Sequence, residues 1–177
     1  PRFMKIEAEI LLDSITEDGN RVTSFIFTLP KFLLQELNTH KTVNKNAAST
    51  RAIPHNKAKE YSSFTPYFWS KKQKGMQGYE SIPQENLIEA NFLFNEARHA
   101  AIHYGELLSN LGIHQQISSR VFEPFVFAKV IATSDKWPLF LDLRAQEDVE
   151  PNMGYLATET LEKWLYSVPQ PLRTGEW

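Results

Sequence analysis

The chain has no cysteine among its 177 residues. That excludes a disulfide-stapled scaffold, a cysteine-ligated zinc site and any cysteine nucleophile. Long hydrophobic runs are missing too. Apolar runs such as 10–12 and 130–132 stop far short of the roughly 20 residues that span a bilayer. The first residues, Pro1-Arg2-Phe3-Met4, carry no signal-type apolar stretch, so a cytoplasmic protein without membrane contact is expected. Neither charge sign dominates: 19 Lys+Arg stand against 21 Asp+Glu, a net charge of −2. This excludes a strongly basic nucleic-acid coat or a polybasic membrane anchor, and it leaves room for a local basic pocket. No Gly-x-Gly-x-x-Gly and no phosphate-binding P-loop occurs.

What is present reads as one domain over 1–166 followed by a loose tail over 167–177. Ile6, Ala8 and Ile10 alternate with Lys5, Glu7 and Glu9, so 4–12 is a half-buried strand. Glu17-Asp18-Gly19-Asn20 is a hairpin turn, and 21–29 resumes as a strand. Pro30 opens a short helix striped by Phe32, Leu33 and Leu37 that ends near 38–40. Residues 42–54 keep neither a strand nor a helix period and read as an ordered, donor-rich loop. Residues 66–83, with Gly75, Gly78, Tyr67, Phe68, Trp69 and Tyr79, read as a lid or binding loop. Leu87, Ala90, Phe94, Ala97, Ala101, Tyr104, Leu108 and Leu111 are spaced for one long central helix, the backbone of the core, stopped by Gly112. A short helix over 114–120, a strand over 125–133, a helix through Trp137 to Leu143 and an amphipathic helix after Pro151 follow. The order implies an α+β fold with a mostly antiparallel sheet.

Several residues could carry chemistry. Ser49-Thr50-Arg51 puts two hydroxyls and a guanidinium within three residues, which suits a phosphate monoester. A loop tied up by its own Asn and Ser side chains is the plainer reading. Arg120 precedes a strand and Arg144 ends the apolar stretch 139–143; each either reaches solvent or points into a pocket. His40 beside Lys41 is a candidate acid or base, with a structural role the plainer reading. His99 and His103, one turn apart with Glu96 before them, have a metal-compatible spacing, but no HExxH accompanies them and no metal is expected. Phe64, Tyr67, Phe68 and Trp69 could stack a base or flavin ring, or serve packing.

The combination Leu29-Pro30-Lys31-Phe32, Glu36-Leu37-Asn38-Thr39-His40-Lys41 and Asn44-Lys45-Asn46-Ala47-Ala48-Ser49-Thr50-Arg51 resembles the flavin-dependent thymidylate synthase family, in its divergent phage-type branch. Ser119-Arg120-Val121-Phe122-Glu123-Pro124 and Leu143-Arg144-Ala145 extend the resemblance to about residue 165. The family signature is Arg-His-Arg, two residues, Ser, four residues, Ser, one residue, Arg. Here Thr39 stands for its first Arg, Lys41 for its second, Asn44 for its first Ser, and Ala47 for a Glu near the nucleotide.

The resemblance implies a homotetramer with FAD across subunit interfaces, dUMP beside the flavin, and methylenetetrahydrofolate and NADPH as cosubstrates. No protein thiol is needed for that methylation. Residue by residue it implies that Ser49 and Arg51 bind the phosphate and that Arg120 and Glu36 reach the nucleotide. Arg144 would contact and polarise the pyrimidine, acting with Ser49 in catalysis. Thr39, His40, Lys41, Asn44 and Asn46 would lie along the flavin. A non-catalytic, nucleotide-binding homotetramer on the same scaffold is the alternative.

Overall fold

The computed structural model describes residues 4–74, 80–173 and 175–176. Gly75, Gly78 and Tyr79 of the expected binding loop lie outside the described residues.

Two strands, β1 (Glu7–Thr16) and β2 (Arg21–Pro30), form an antiparallel hairpin. Its turn holds Gly19 at φ 87°, a left-handed conformation that costs glycine little. Strand β3 (Asn44–Ala47) pairs antiparallel with β4 (Phe127–Ser134), and β4 with β2. A last strand, β5 (Gln170–Leu172), runs parallel to the end of β1. The sheet order is β3-β4-β2-β1-β5. Six helices accompany it among the described residues: α1 (Leu34–Asn38), α2 (His55–Glu60), α3 (Gln84–Asn110), α4 (Gln115–Ser118), α5 (Trp137–Arg144) and α6 (Pro151–Tyr166). This is the expected α+β architecture. No helix among the described residues is long and apolar enough to cross a membrane.

Strand alternation decides which face is buried. Phe25, Phe27 and Leu29 of β2 and Val130 and Ala132 of β4 point into a core completed by Leu33, Leu37, Trp137, Phe140, Met153 and Leu156. Trp137 sits edge-on to Phe25 at 4.9 Å, and its indole N–H donates to the Thr23 carbonyl at 2.9 Å. The ring is therefore buried without an orphaned donor. By cross-strand register, Ile131 of β4 shares the opposite face with Ile26 and Asn46, and Thr133 shares it with Ser24 and Asn44. That face is open at Asn44, Asn46 and Ile131.

Three segments differ from the sequence-based expectation. Residues 42–54 contain an edge strand and a 3-10 turn (Thr50–Ala52) rather than loop alone. The strand shows no apolar alternation because it is only four residues long, is almost entirely exposed, and is specified by its partner β4. The tail is not loose over its whole length, since 170–172 joins the sheet. The long helix is not the backbone of the core. Its inner face packs Phe94 against Phe64, Trp69 and Phe125 at 5.2–6.1 Å. Gly105 lies so close to Phe122 that a Cβ would fall 2.8 Å from the ring. Ala97, Tyr104 and Leu111, expected to face inward, are exposed together with Ile88, Phe92, Leu93 and Leu107. The helix carries apolar residues on two faces, and one chain covers only one of them.

Candidate functional site

The sequence candidates fall into two groups, at opposite ends of β3. At one end, α1 supplies Glu36, the turn after it His40, and the last residue of α5 Arg144. Arg144 Nε donates to His40 Nε2 at 2.8 Å, and Arg144 Nη1 forms an ion pair with Glu36 Oε1. His40 Nε2 is thus an acceptor, which requires the neutral ring with its proton on Nδ1. The ring is 8% exposed and edge-on to Phe140 at 4.9 Å. Burial, then the charges of Arg144 and Lys45, pull the His40 pKa down to about 4. The Glu36 carboxyl is held above its ordinary value: burial and the Glu150 charge outweigh the attraction of Arg144. Glu150 is itself fixed as the N-cap of α6, with Oε2 accepting from Met153 N at 2.7 Å. The guanidinium of Arg144 is therefore clamped on two sides. Its Nη2 end makes no hydrogen bond among the described residues and remains available as a donor pair.

At the other end of β3, the chain passes through Ser49 into the turn that carries Thr50 and Arg51. Thr50 is fully buried; its hydroxyl accepts from Lys31 Nζ and donates to Glu123 Oε1. Lys31 Nζ also donates to Glu123 Oε1 at 3.1 Å, and Arg120 Nε lies 3.9 Å from Glu123 Oε2. Burial opposes ionisation of Glu123, but the hydrogen bonds from Thr50 and Lys31 and the charges of Lys31 and Arg120 bring its pKa below the ordinary value. The Arg51 carbonyl accepts from Gln115 Nε2 at 2.8 Å, while its side chain is exposed. Ser49 is half-buried and Arg120 exposed. Beside Arg120 opens a cleft of about 420 Å³ lined in part by Lys31, Phe32, Gln35, Arg120 and Glu123.

Between the two groups, the Lys45 ammonium donates to the His40 carbonyl and Ala48 N–H to the Lys129 carbonyl, which ties β3 to its neighbours on either side. Among the described residues, no hydrogen bond or ion pair joins Glu36, His40 or Arg144 to Ser49, Arg51 or Arg120. Thr39 and Lys41 are exposed beside His40, the Thr39 hydroxyl donating to the Glu36 carbonyl at 2.7 Å. Asn44 and Asn46 project from β3 towards the open sheet face, with amides that make no hydrogen bond among the described residues. Exposed amides and the Lys41 ammonium are donors that suit the carbonyls and phosphates of a flavin dinucleotide, and the neighbouring Ile131 offers apolar surface to a planar ring. Glu96 and His99 form an exposed pair at 3.8 Å. Among the described residues no three His, Asp or Glu side chains gather as metal ligands would.

Sequence reasoning gave Lys31, Glu123 and Glu150 no role of their own, and it read the Thr50 hydroxyl as a phosphate donor, whereas that hydroxyl is fully buried and taken up by Lys31 and Glu123. The available signal was a lysine and a glutamate each set among apolar neighbours, in Leu29-Pro30-Lys31-Phe32 and Val121-Phe122-Glu123-Pro124-Phe125. Charged residues so placed are partnered when buried.

No family model and no curated protein matches the sequence. Solved structures do match the fold. The UMP/dUMP methylase PolB from Streptomyces cacaoi, bound with 5-Br dUMP, superposes with a TM-score of 0.75 at 17% identity, covering 90% of each chain. The same protein bound with 5-Br UMP gives 0.70 at 16% identity over 93% of this chain and 92% of that one. The flavin-dependent thymidylate synthase ThyX from Helicobacter pylori, complexed with FAD and dUMP, gives 0.55 at 18% identity over 80% and 67%. The fold of this chain is that of the flavin-dependent thymidylate synthases and the UMP/dUMP methylase similar to them.

Proposed function

We propose that this protein is an enzyme that transfers a one-carbon unit to C5 of a pyrimidine nucleoside monophosphate, with dUMP as substrate. The observation that carries this reading is the Arg144 guanidinium, clamped by His40 and Glu36 with a free donor pair at its end. A guanidinium so fixed can hold a pyrimidine carbonyl and stabilise negative charge as it develops on the ring. Its orientation is set before substrate arrives, so little reorganisation is needed during reaction.

The 5′-phosphate is assigned to Ser49 and Arg51, with Arg120 assisting, since hydroxyls and a planar fork of N–H donors match a phosphate monoester. Thr39, Lys41, Asn44 and Asn46, with His40 behind them, are assigned to FAD, a reading supported by their exposed polar side chains along β3 and the turn before it. The chemistry a bound flavin supplies is reduction of the transferred carbon, with methylenetetrahydrofolate as its donor and NADPH as the source of reducing equivalents. Glu36, next to Arg144, is in place to meet the nucleotide as well.

The two groups are separated by β3, and this favours a site completed by another subunit. The uncovered stripe Leu93, Ala97, Ala100, Tyr104, Leu107 and Leu111 on α3 gives a second chain a surface to bury. A homotetramer is the assembly proposed. The second reading, a non-catalytic nucleotide-binding homotetramer, has one observation in its favour: Glu36 already neutralises the charge of Arg144. Turnover separates the two. Protein reconstituted with FAD and supplied with dUMP, methylenetetrahydrofolate and NADPH should form dTMP, measured by chromatography. Nucleotide binding without product, with or without flavin uptake, would establish the binder instead.

A further inference from the structure

Lys31, Thr50 and Glu123 come from three separate segments and meet in one polar knot, in which Lys31 and Thr50 are buried and Glu123 is partly exposed. We propose that Glu123, held in place by Lys31, is a positioning residue that fixes Arg120 and the 49–51 loop as one preformed phosphate-binding unit; this rests on the reading that Ser49, Arg51 and Arg120 hold the 5′-phosphate of the nucleotide.

The placement argues for it. The Lys31 side chain is 5% exposed, and a buried ammonium is tolerated only when paired and hydrogen-bonded. Both of its partners belong to segments that carry the proposed phosphate ligands. Thr50 lies between Ser49 and Arg51, and Glu123 lies one turn after Arg120. A single carboxylate therefore reaches both: Oε1 accepts from the Thr50 hydroxyl, and Oε2 faces Arg120 Nε at 3.9 Å. Holding the fold together does not require this chemistry. Apolar side chains of similar volume would join the same three segments as well or better. What the polar knot adds is a fixed direction for each group and a fixed charge. Glu123 satisfies Lys31, and the exposed side chains of Arg51 and of Arg120, which lines the cleft, remain the cations available to an anion.

The experiment is calorimetric titration of dUMP and of deoxyuridine, which lacks the phosphate, into wild-type protein, Arg51→Ala, Glu123→Gln and the double variant Lys31→Met/Glu123→Leu, with melting temperatures for all four. Arg51→Ala should raise the dUMP Kd about tenfold and leave deoxyuridine unchanged. Glu123→Gln should do the same. It leaves Lys31 buried without its counter-charge, so it should also melt earlier. The double variant removes the buried ammonium together with its partly exposed counter-charge; it leaves the Thr50 hydroxyl without its two partners, so it should melt no earlier than Glu123→Gln and still lose about tenfold in dUMP affinity. Wild-type affinity for dUMP in the folded double variant would overturn the proposal, provided that Arg51→Ala still loses it. Equal losses for dUMP and deoxyuridine in the Glu123 variants would also overturn it. If Arg51→Ala itself binds dUMP normally, the phosphate assignment falls and the proposal falls with it.

Discussion

Arg144 makes two bonds that lysine cannot make together. Its Nε reaches His40 and its Nη1 reaches Glu36, and the remaining Nη2 points a donor pair elsewhere. A lysine keeps the charge but has one compact head, so it can satisfy Glu36 or a ligand, not both in a fixed plane. Arg144→Lys should therefore bind dUMP nearly as well as wild type yet lose on the order of ten- to a hundredfold in turnover. Arg144→Ala should lose both. If the residue only ties α1 to α5, Arg144→Lys would turn over normally, and any loss in Arg144→Ala would follow its melting temperature. His40 gives an independent test of the same pair. Its pKa falls from 6.5 to about 4 on folding, so between these values the unfolded chain binds more protons than the folded one. The stabilisation is complete above pH 6.5 and is lost as pH falls towards 4, by ~1–3 kcal/mol. Gln can accept from Arg144 without titrating. The difference in melting temperature between wild type and His40→Gln should shrink or reverse across that window. A difference that stays constant with pH would mean that His40 is not the neutral acceptor described.

Among the elements, the end of the chain is held by one carboxylate. Asp13 of β1 accepts from Arg21 Nε at 2.9 Å and Nη2 at 2.7 Å, from the Thr23 hydroxyl at 2.9 Å, and from the Ser167 hydroxyl. Arg21 also donates to the Trp164 carbonyl at 2.8 Å, with its guanidinium 4.5 Å from the centre of that indole ring. This joins the end of α6 to the hairpin just before β5 pairs. The Asp13 side chain is 5% exposed, so Asp13→Asn removes the charge opposite a largely buried Arg21. The expected loss is ~2–4 kcal/mol, a fall of about 10 °C in melting temperature, with earlier proteolysis near 167. An unchanged melting temperature would mean the pair is replaceable by water. The sequence does not reveal this joint, because Asp13 and Ser167 are far apart and neither stands out locally. The elements that were legible, 21–29, 125–133, 137–143 and the helix after Pro151, have long apolar patterns of their own. Those that were not, β3, α2 and β5, are short, largely exposed and specified by a neighbour. The candidate site divides in the same way. Arg51, Arg120, Arg144 and Ser49 stood out by residue type and register, whereas Lys31 and Glu123 acquire a role only when three segments meet.

At the scale of the whole molecule, the two groups of candidate residues and the uncovered side of α3 bear on one question. β3 is paired along its length with β4 and lies between the two groups, which no hydrogen bond or ion pair joins among the described residues. On the proposed reading the two groups meet across a subunit boundary, and light scattering should return four chain masses at micromolar concentration. Introducing charge into the stripe, as Leu93→Glu with Leu107→Glu, should give smaller species with unchanged far-ultraviolet circular dichroism and no turnover. The decisive form of the test mixes two impaired proteins, assayed at dUMP well below the Kd of Arg51→Ala. Arg51→Ala lacks the phosphate ligand and keeps Arg144; Arg144→Ala has the reverse defect. When equal amounts are exchanged through mild denaturant and reassembled, random pairing restores an intact site wherever a good Arg51 faces a good Arg144, about a quarter of all sites. Turnover should return to about that fraction of wild type, since each site depends on one residue from each chain. A mixture that stays inactive although the subunits have exchanged would place Arg51 and Arg144 in the same chain's site. The division of the nucleotide between two subunits would then be wrong, whatever the assembly weighs.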